Sequence, residues 1–314
     1  MPITILKERM TFHPELNFTV RLGCELIYEV PVATPAFFVL RPRRSPAQRI
    51  VQEMLSLGPD LPATEEIDSH GNVVDRVILR QGTNTIRHDA LVAVNSMPEV
   101  LPTWEPAESL DRVPVSLLRY TLPSRYCDSD KLMQFAAQNF GSLAPGAPTV
   151  RGICDWLHKN IEYRYGSGCP DISASEVIAR GYGVCRDFGH TAIALCRTFN
   201  IPTRYVTGHL PDIGVQDPGS AMDFHAYFEV YLSGHWYTMD SRFNNPRIGR
   251  VKIACGMDAV DGAFSTIYGD AFLSKFQVWA YQVDPAEVNT GSPIDLSKRL
   301  DGTPLLRWPA LQNV

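Results

Sequence analysis

The sequence predicts an α+β protein in which an N-terminal antiparallel β-sandwich precedes a domain of helices packed on an antiparallel sheet. Three observations carry this. β-forming runs separated by turn residues fill the first third of the chain, helical periodicity is confined to a block between about Ser129 and Phe199, and aromatic-rich extended runs return after it. Helices segregated from antiparallel strands define the α+β class.

From Met10 to about Val115 no helical periodicity is present. Candidate strands are Phe18–Val30, Ala36–Arg41, Ile50–Leu57, Val73–Gln81 and Thr83–Val94, with Ser69-His70-Gly71-Asn72 as a turn. Short strands spaced by turns read as a sandwich. The cluster Arg41, Arg43, Arg44 and Arg49, interrupted by Pro42 and Pro46, reads as a solvated loop face. Pro98, Pro102, Pro106, Pro114 and Pro123 mark a connecting segment, which puts the domain boundary near residue 115. The expected division is therefore 1–115, 116–284 and a tail, 285–314, where proline, glycine and charge dominate and the chain is expected to be surface-bound or disordered.

A helix is expected over Ser129–Phe140. A second runs from Pro148 or Thr149 to Asn160, with Val150, Ile153, Leu157 and Ile161 on one side. IEYRY, from Ile161 to Tyr165, is a short extended piece. Ser173-x-x-Glu176 forms a capping box that opens a brief helix to Arg180. Gly181 and Gly183 then permit a close backbone approach just before Cys185.

Cys185 opens the next helix, whose buried stripe is Phe188, Ala192, Leu195 and Phe199 and which Pro202 closes. First-turn amides lack intrahelical partners and carry partial positive charge, so a thiol placed there ionises more easily than a free one. Alone, Cys185 reads first as one more buried thiol, and only a base and an orienting group elsewhere would make it a nucleophile. Cys196, three turns along, reads as packing, and Asp187 as a first-turn acid favoured by the helix dipole.

A base and an orienting acid are found in DFHAYFEVYLSGHWYTMDSR, Asp223–Arg242, after an expected strand at Thr203–Gly208. β-formers flank a Ser233-Gly234 turn, which makes a hairpin. With those two as loop residues, Leu232 faces His235, Tyr227 faces Asp240 and His225 faces Arg242. His225 and Asp240 become diagonal neighbours, about 7–8 Å apart at the backbone and within side-chain reach. A one-residue change of turn length would put them on opposite faces. Thiol, imidazole and carboxylate supply what acyl transfer through a thioester requires: a nucleophile, a base that later returns the proton, and an acid that holds the base's tautomer.

The runs GVCRDFGHTAIALCRTFNIPTRYVTGHL, Gly183–Leu210, and FHAYFEVYLSGHWYTMDSR, Phe224–Arg242, closely resemble the bacterial transglutaminase-like proteins of the papain-like cysteine fold. The resemblance implies a papain-like, transglutaminase-like catalytic domain after an N-terminal β-domain, with Cys185 as nucleophile, His225 as base and Asp240 as orienting acid. It implies a peptide or protein amide as substrate and no cofactor. Where such proteins often read Asp-Pro-Thr, this chain reads Asp240-Ser241-Arg242. The alternative is a catalytically silent module of the same family that holds a peptide or protein.

Around the site, Tyr165, Tyr182 and His190 are candidates for the cleft or for ordinary packing, and the loop Pro211–Met222 before His225 is a candidate rim or lid. The backbone amide of Cys185 is the first oxyanion donor. Farther on, Arg247–Cys255 and FLSKFQVWAYQV read as strands around a loop-like Gly256–Gly269.

A hydrophobic fraction of 45%, a charged fraction of 20% and a formal charge of −5 describe a soluble globular chain with no basic footprint for nucleic acid. MPITILKERMTFHPELNF lacks a signal peptide's apolar core, and no run is long and apolar enough to span a bilayer as a helix. The seven cysteines show no framework spacing and no CxxC, and HExxH is absent; reduced thiols in a cytoplasm, without a metal site, are expected. GYGVCRDFG is not GxGxxG, which argues against a dinucleotide site.

Overall fold

The computed structural model describes residues 15–58, 61–215 and 221–300. Strands come first: β1 (Phe18–Val30), β2 (Thr34–Phe38), β3 (Gln48–Gly58), β4 (Ala63–Ile67), β5 (Val73–Leu79) and β6 (Gly82–Val94). A helical block follows, with α1 (Met133–Phe140), α2 (Ala147–Asn160), β7 (Glu162–Tyr163), α3 (Ala174–Arg180), β8 (Tyr182–Gly183) and α4 (Cys185–Thr198). The chain then returns to strands: β9 (Thr203–His209), β10 (His225–Leu232), β11 (His235–Met239), β12 (Val251–Gly256), β13 (Ser265–Ile267) and β14 (Phe272–Gln282). The architecture is mixed, with antiparallel sheets and comparatively little helix. Among the described residues no helix is long and apolar enough to cross a membrane.

Three four-stranded sheets are formed, ordered β14-β1-β6-β3, β13-β2-β5-β4 and β11-β10-β9-β12. Leu26, Tyr28 and Ile86 from the first share one buried cluster with Ala36, Phe38, Val77 and Leu79 from the second. Phe224, Ile253 and Ala254, from the part of the chain that carries the third sheet, enter the same cluster. On the other side of the third sheet, Ala226, Phe228, Val230 and Leu232 of β10 pack with Phe188, Ala192 and Leu195 of α4. Each fully buried Phe or Leu there contributes about 2 kcal/mol. With both faces covered, β10 is buried almost throughout instead of at every second residue.

The expected boundary near residue 115 does not separate these sheets. β14 lies within 116–284, yet it pairs with β1 from Val20↔Gln282 to Glu29↔Phe272, and β13 pairs with β2. The sequence shows that β14 is a strand but carries no local signal of which edge it completes. β4, ATEEI, is exposed along its whole length, so neither alternation nor β-formers announce it. Arg41 and Arg43 are not a solvated face: Arg41 bonds Glu53 and Glu65, and Arg43 bonds the His70 carbonyl and Asn72. The start of the expected tail is packed, with Val288 buried against Leu91, Trp279 and Tyr281, and Arg21 donating to the Ser292 carbonyl. Residues 301–314 of that tail lie outside the described residues.

Candidate active site

The thiol is positioned by the start of α4. Val184 is its N-cap in extended backbone, and Cys185 is the first helical residue. Asp187 does more than favour the dipole: it is fully buried, accepts from the Val184 N–H at 3.1 Å and binds Arg180 Nη2 at 2.6 Å, which ties the end of α3 to the start of α4. Gly181 closes α3 in the left-handed conformation, φ 74°. A Cβ at Gly183 would stand 2.7 Å from Asp187 Cβ, so that close approach requires glycine. The parallel pair β7–β8 sets Tyr163 opposite Gly183, beside the thiol.

The imidazole and carboxylate come from the hairpin. Ser233 (φ 46°) and Gly234 (φ 83°) are the two turn residues, and the register runs from Leu232↔His235 to Phe228↔Met239, as the turn signal predicts. His225 Nε2 donates to Asp240 Oδ2 at 2.8 Å with both side chains buried. That bond leaves Nδ1 for the thiol. Ser241 Oγ donates to the Phe188 carbonyl at 3.2 Å and so locks the end of the hairpin to α4. On the far side of β10, Gly208 of β9 pairs with His225, and a Cβ there would lie 2.1 Å from the Val251 carbonyl oxygen.

The electrostatics draw the thiol and the imidazole towards a shared proton. Burial by itself would push the Cys185 thiol up, but the hydrogen bond and charge of His225, the Ala226 amide and Arg242 together hold it below the usual thiol range. Burial opposes charge on His225 as well; Asp240 and the facing sulfur outweigh it and raise the imidazole above its ordinary value. Asp240 is buried, which opposes its ionisation, but His225 and Arg250 keep it well below the carboxylate range. Arg250 Nη2 donates to the same Oδ2 at 2.8 Å, and the Arg242 and Phe243 amides donate to Oδ1 at 3.2 and 3.3 Å.

A cavity of about 210 Å³ opens over Cys185 and His225, with Tyr163, Tyr165, Arg242 and Phe243 among its walls. Tyr165 is 68% exposed at its mouth. Tyr182 is instead covered by the Arg164 and Arg180 guanidiniums. His190 is core: stacked on Tyr126 at 4.9 Å, it accepts the Ala259 N–H, and burial lowers its pKa to about 3. Of the suggested rim loop, Asp212, Val215 and Met222 line the cavity, and residues 216–220 lie outside the described residues. A larger cavity, about 280 Å³, lies beyond the Asp240 carboxylate and does not reach Cys185. Sequence reasoning missed Arg250, Tyr163 and the Ala226 amide; Arg250 and Tyr163 arrive from other segments, and the Ala226 amide, although next to His225, meets the thiol only through the packing of β10 on α4.

The structure thus brings a helix-borne thiol, an imidazole and a carboxylate together at one cavity, with the last two on an antiparallel hairpin. The sequence signature of the transglutaminase-like superfamily matches residues 134–241, a span that contains all three groups. A candidate cysteine protease of Cytophaga hutchinsonii superposes with a TM-score of 0.75 at 32% identity, covering 85% of this chain and 91% of that one. An uncharacterized protein of Mycobacterium tuberculosis is 31% identical over 184 residues, 54% of this chain and 58% of that protein, and one of Mycobacterium leprae is 25% identical over 221 residues, 67% and 77% of the two. The chain thus spans little more than half the length of the M. tuberculosis relative. It belongs to the transglutaminase-like superfamily.

Proposed function

We propose that the protein is a cysteine-dependent amide or peptide hydrolase, or acyltransferase, acting on a peptide or protein amide. Cys185 attacks the amide carbonyl, and the proton held by His225 goes to the departing amine as the C–N bond breaks. A thioester remains. Water or an amine then adds to it, losing its proton to His225, and the thiolate is released. Asp240 fixes the imidazole with its proton on Nε2 and stabilises its cation. The Cys185 amide serves as an oxyanion donor. Hydrolysis is the favoured outcome, in line with the likeness to a candidate cysteine protease. No cofactor is required.

The observation that carries the reading is the buried 2.8 Å bond from His225 to Asp240 beside a helix-start thiol. Two further parts belong to the same reading. The two N-terminal sheets are the layers of a β-sandwich built from both ends of the chain, supported by their shared buried cluster. The compartment is a reducing cytoplasm, supported by seven unpaired thiols. Profiling against a peptide library with mass readout tests the chemistry: an acyl product that has taken up water marks hydrolysis, and one that has taken up the added amine marks transfer, the amine or ammonia leaving in both. A soluble, folded Cys185→Ala variant that kept full turnover would sink it.

A further inference from the structure

Arg242 stands where no general base or nucleophile is needed, yet its place is tightly determined. Its N–H donates to Asp240 Oδ1 at 3.2 Å, and its carbonyl accepts from His158 Nδ1 at 2.8 Å. The guanidinium carbon lies 3.5 Å from the centre of the Tyr163 ring and 4.5 Å from that of Phe243. It lines the cavity that holds Cys185 and His225. The other two arginines here are occupied: Arg250 on Asp240, and Arg247 on the Pro211 carbonyl with Asp212 at 3.6 Å. Among the described residues no carboxylate forms an ion pair with Arg242. Asp223, a further acid of the cavity, accepts its neighbour's amide instead.

A guanidinium flattened against an aromatic ring keeps its fork of N–H donors and loses little further freedom when a carboxylate docks. We propose that Arg242 is a specificity residue that binds a carboxylate of the acyl donor beside the amide attacked by Cys185. The favoured substrates are then acidic peptides, with an Asp, a Glu or a terminal carboxylate next to the cleaved bond. This rests on the cysteine chemistry proposed above and adds the substrate class.

The test uses two alkylating probes of nearly equal size, iodoacetate and iodoacetamide. In both, the Cys185 sulfur attacks the methylene carbon and iodide leaves; only iodoacetate carries a carboxylate. Rates are read on the Cys185 peptide by mass spectrometry, which separates it from the other thiols. Any effect of Arg242 on thiol ionisation touches both reagents alike and cancels in their ratio. The iodoacetate-to-iodoacetamide ratio is expected to fall about tenfold in Arg242→Gln and to be largely kept in Arg242→Lys, as a charge-assisted contact implies. Wild type should also prefer a peptide with Glu beside the cleaved amide over its Gln twin by a similar factor, mainly in KM. An unchanged ratio in Arg242→Gln, with iodoacetamide still reacting fast, overturns the inference and leaves the thiol chemistry standing. Slow reaction with both reagents in wild type overturns the thiol chemistry and the inference with it.

Discussion

Removing the Arg250 guanidinium should separate the orientation of Asp240 from its charge. In Arg250→Met the aliphatic stem keeps its packing, while Asp240 Oδ2 loses one of its two 2.8 Å donors. Breaking a buried ion pair commonly costs about 3–5 kcal/mol. Here the stranded carboxylate still has His225 and two backbone amides, so the lower end, about 3 kcal/mol, is expected. For a chain of this size that is a fall of roughly 4–5 °C in the unfolding midpoint. The loss of a nearby cation also lets Asp240 hold the imidazolium more tightly, so the alkaline limb of the iodoacetamide rate profile, where His225 gives up its proton, should move to higher pH. Arg250→Lys, which keeps the charge, should restore most of both effects. A variant with the wild-type midpoint and an unmoved alkaline limb would show that Arg250 does not govern Asp240.

Two other outcomes follow from the same geometry. In Gly208→Ala the new methyl meets the Val251 carbonyl oxygen, and because both partners are backbone β9 must shift; a loss of about 2–3 kcal/mol in denaturant unfolding and a slower Cys185 alkylation are expected, since β9 is paired to His225. The stability difference between wild type and Asp240→Asn should itself depend on pH. Asp240 is depressed, so its share is present above about pH 4, the unfolded carboxyl value, and fades as pH falls through the lower folded value. His225 is raised, so its share is complete below about pH 6.5 and fades as pH rises through the higher folded value. Denaturant titrations from pH 3 to 9 should give a plateau near pH 5–6 that declines on both sides, and a flat difference would contradict the assignment.

What could be read in advance divides by the range of the forces involved. The start of α4 and the Ser233-Gly234 hairpin are local matters of capping and turn chemistry, and they placed Cys185, His225 and Asp240 without coordinates. The capping box at Ser173 and Glu176 is local too, and it forms with Glu176 accepting the Ser173 N–H at 2.8 Å. Arg250 was illegible because it reaches Asp240 across a loop that follows no periodicity. Tyr163 was illegible because its place depends on a two-residue parallel pair, too short to leave a pattern. The partner of β14 was illegible for a different reason: an apolar strand can complete many edges, and the choice is made by the whole assembly.

That last pairing has a consequence for synthesis. β1 finds β6 soon after both have left the ribosome, but its opposite flank must wait until some 250 residues later, when Phe272–Gln282 appears. Through that interval the nascent chain carries a bare strand flank, an invitation to adhesion between neighbours. The α4 helix and its hairpin emerge before the closure is made, so the thiol is translated well ahead of the seam that seals the fold.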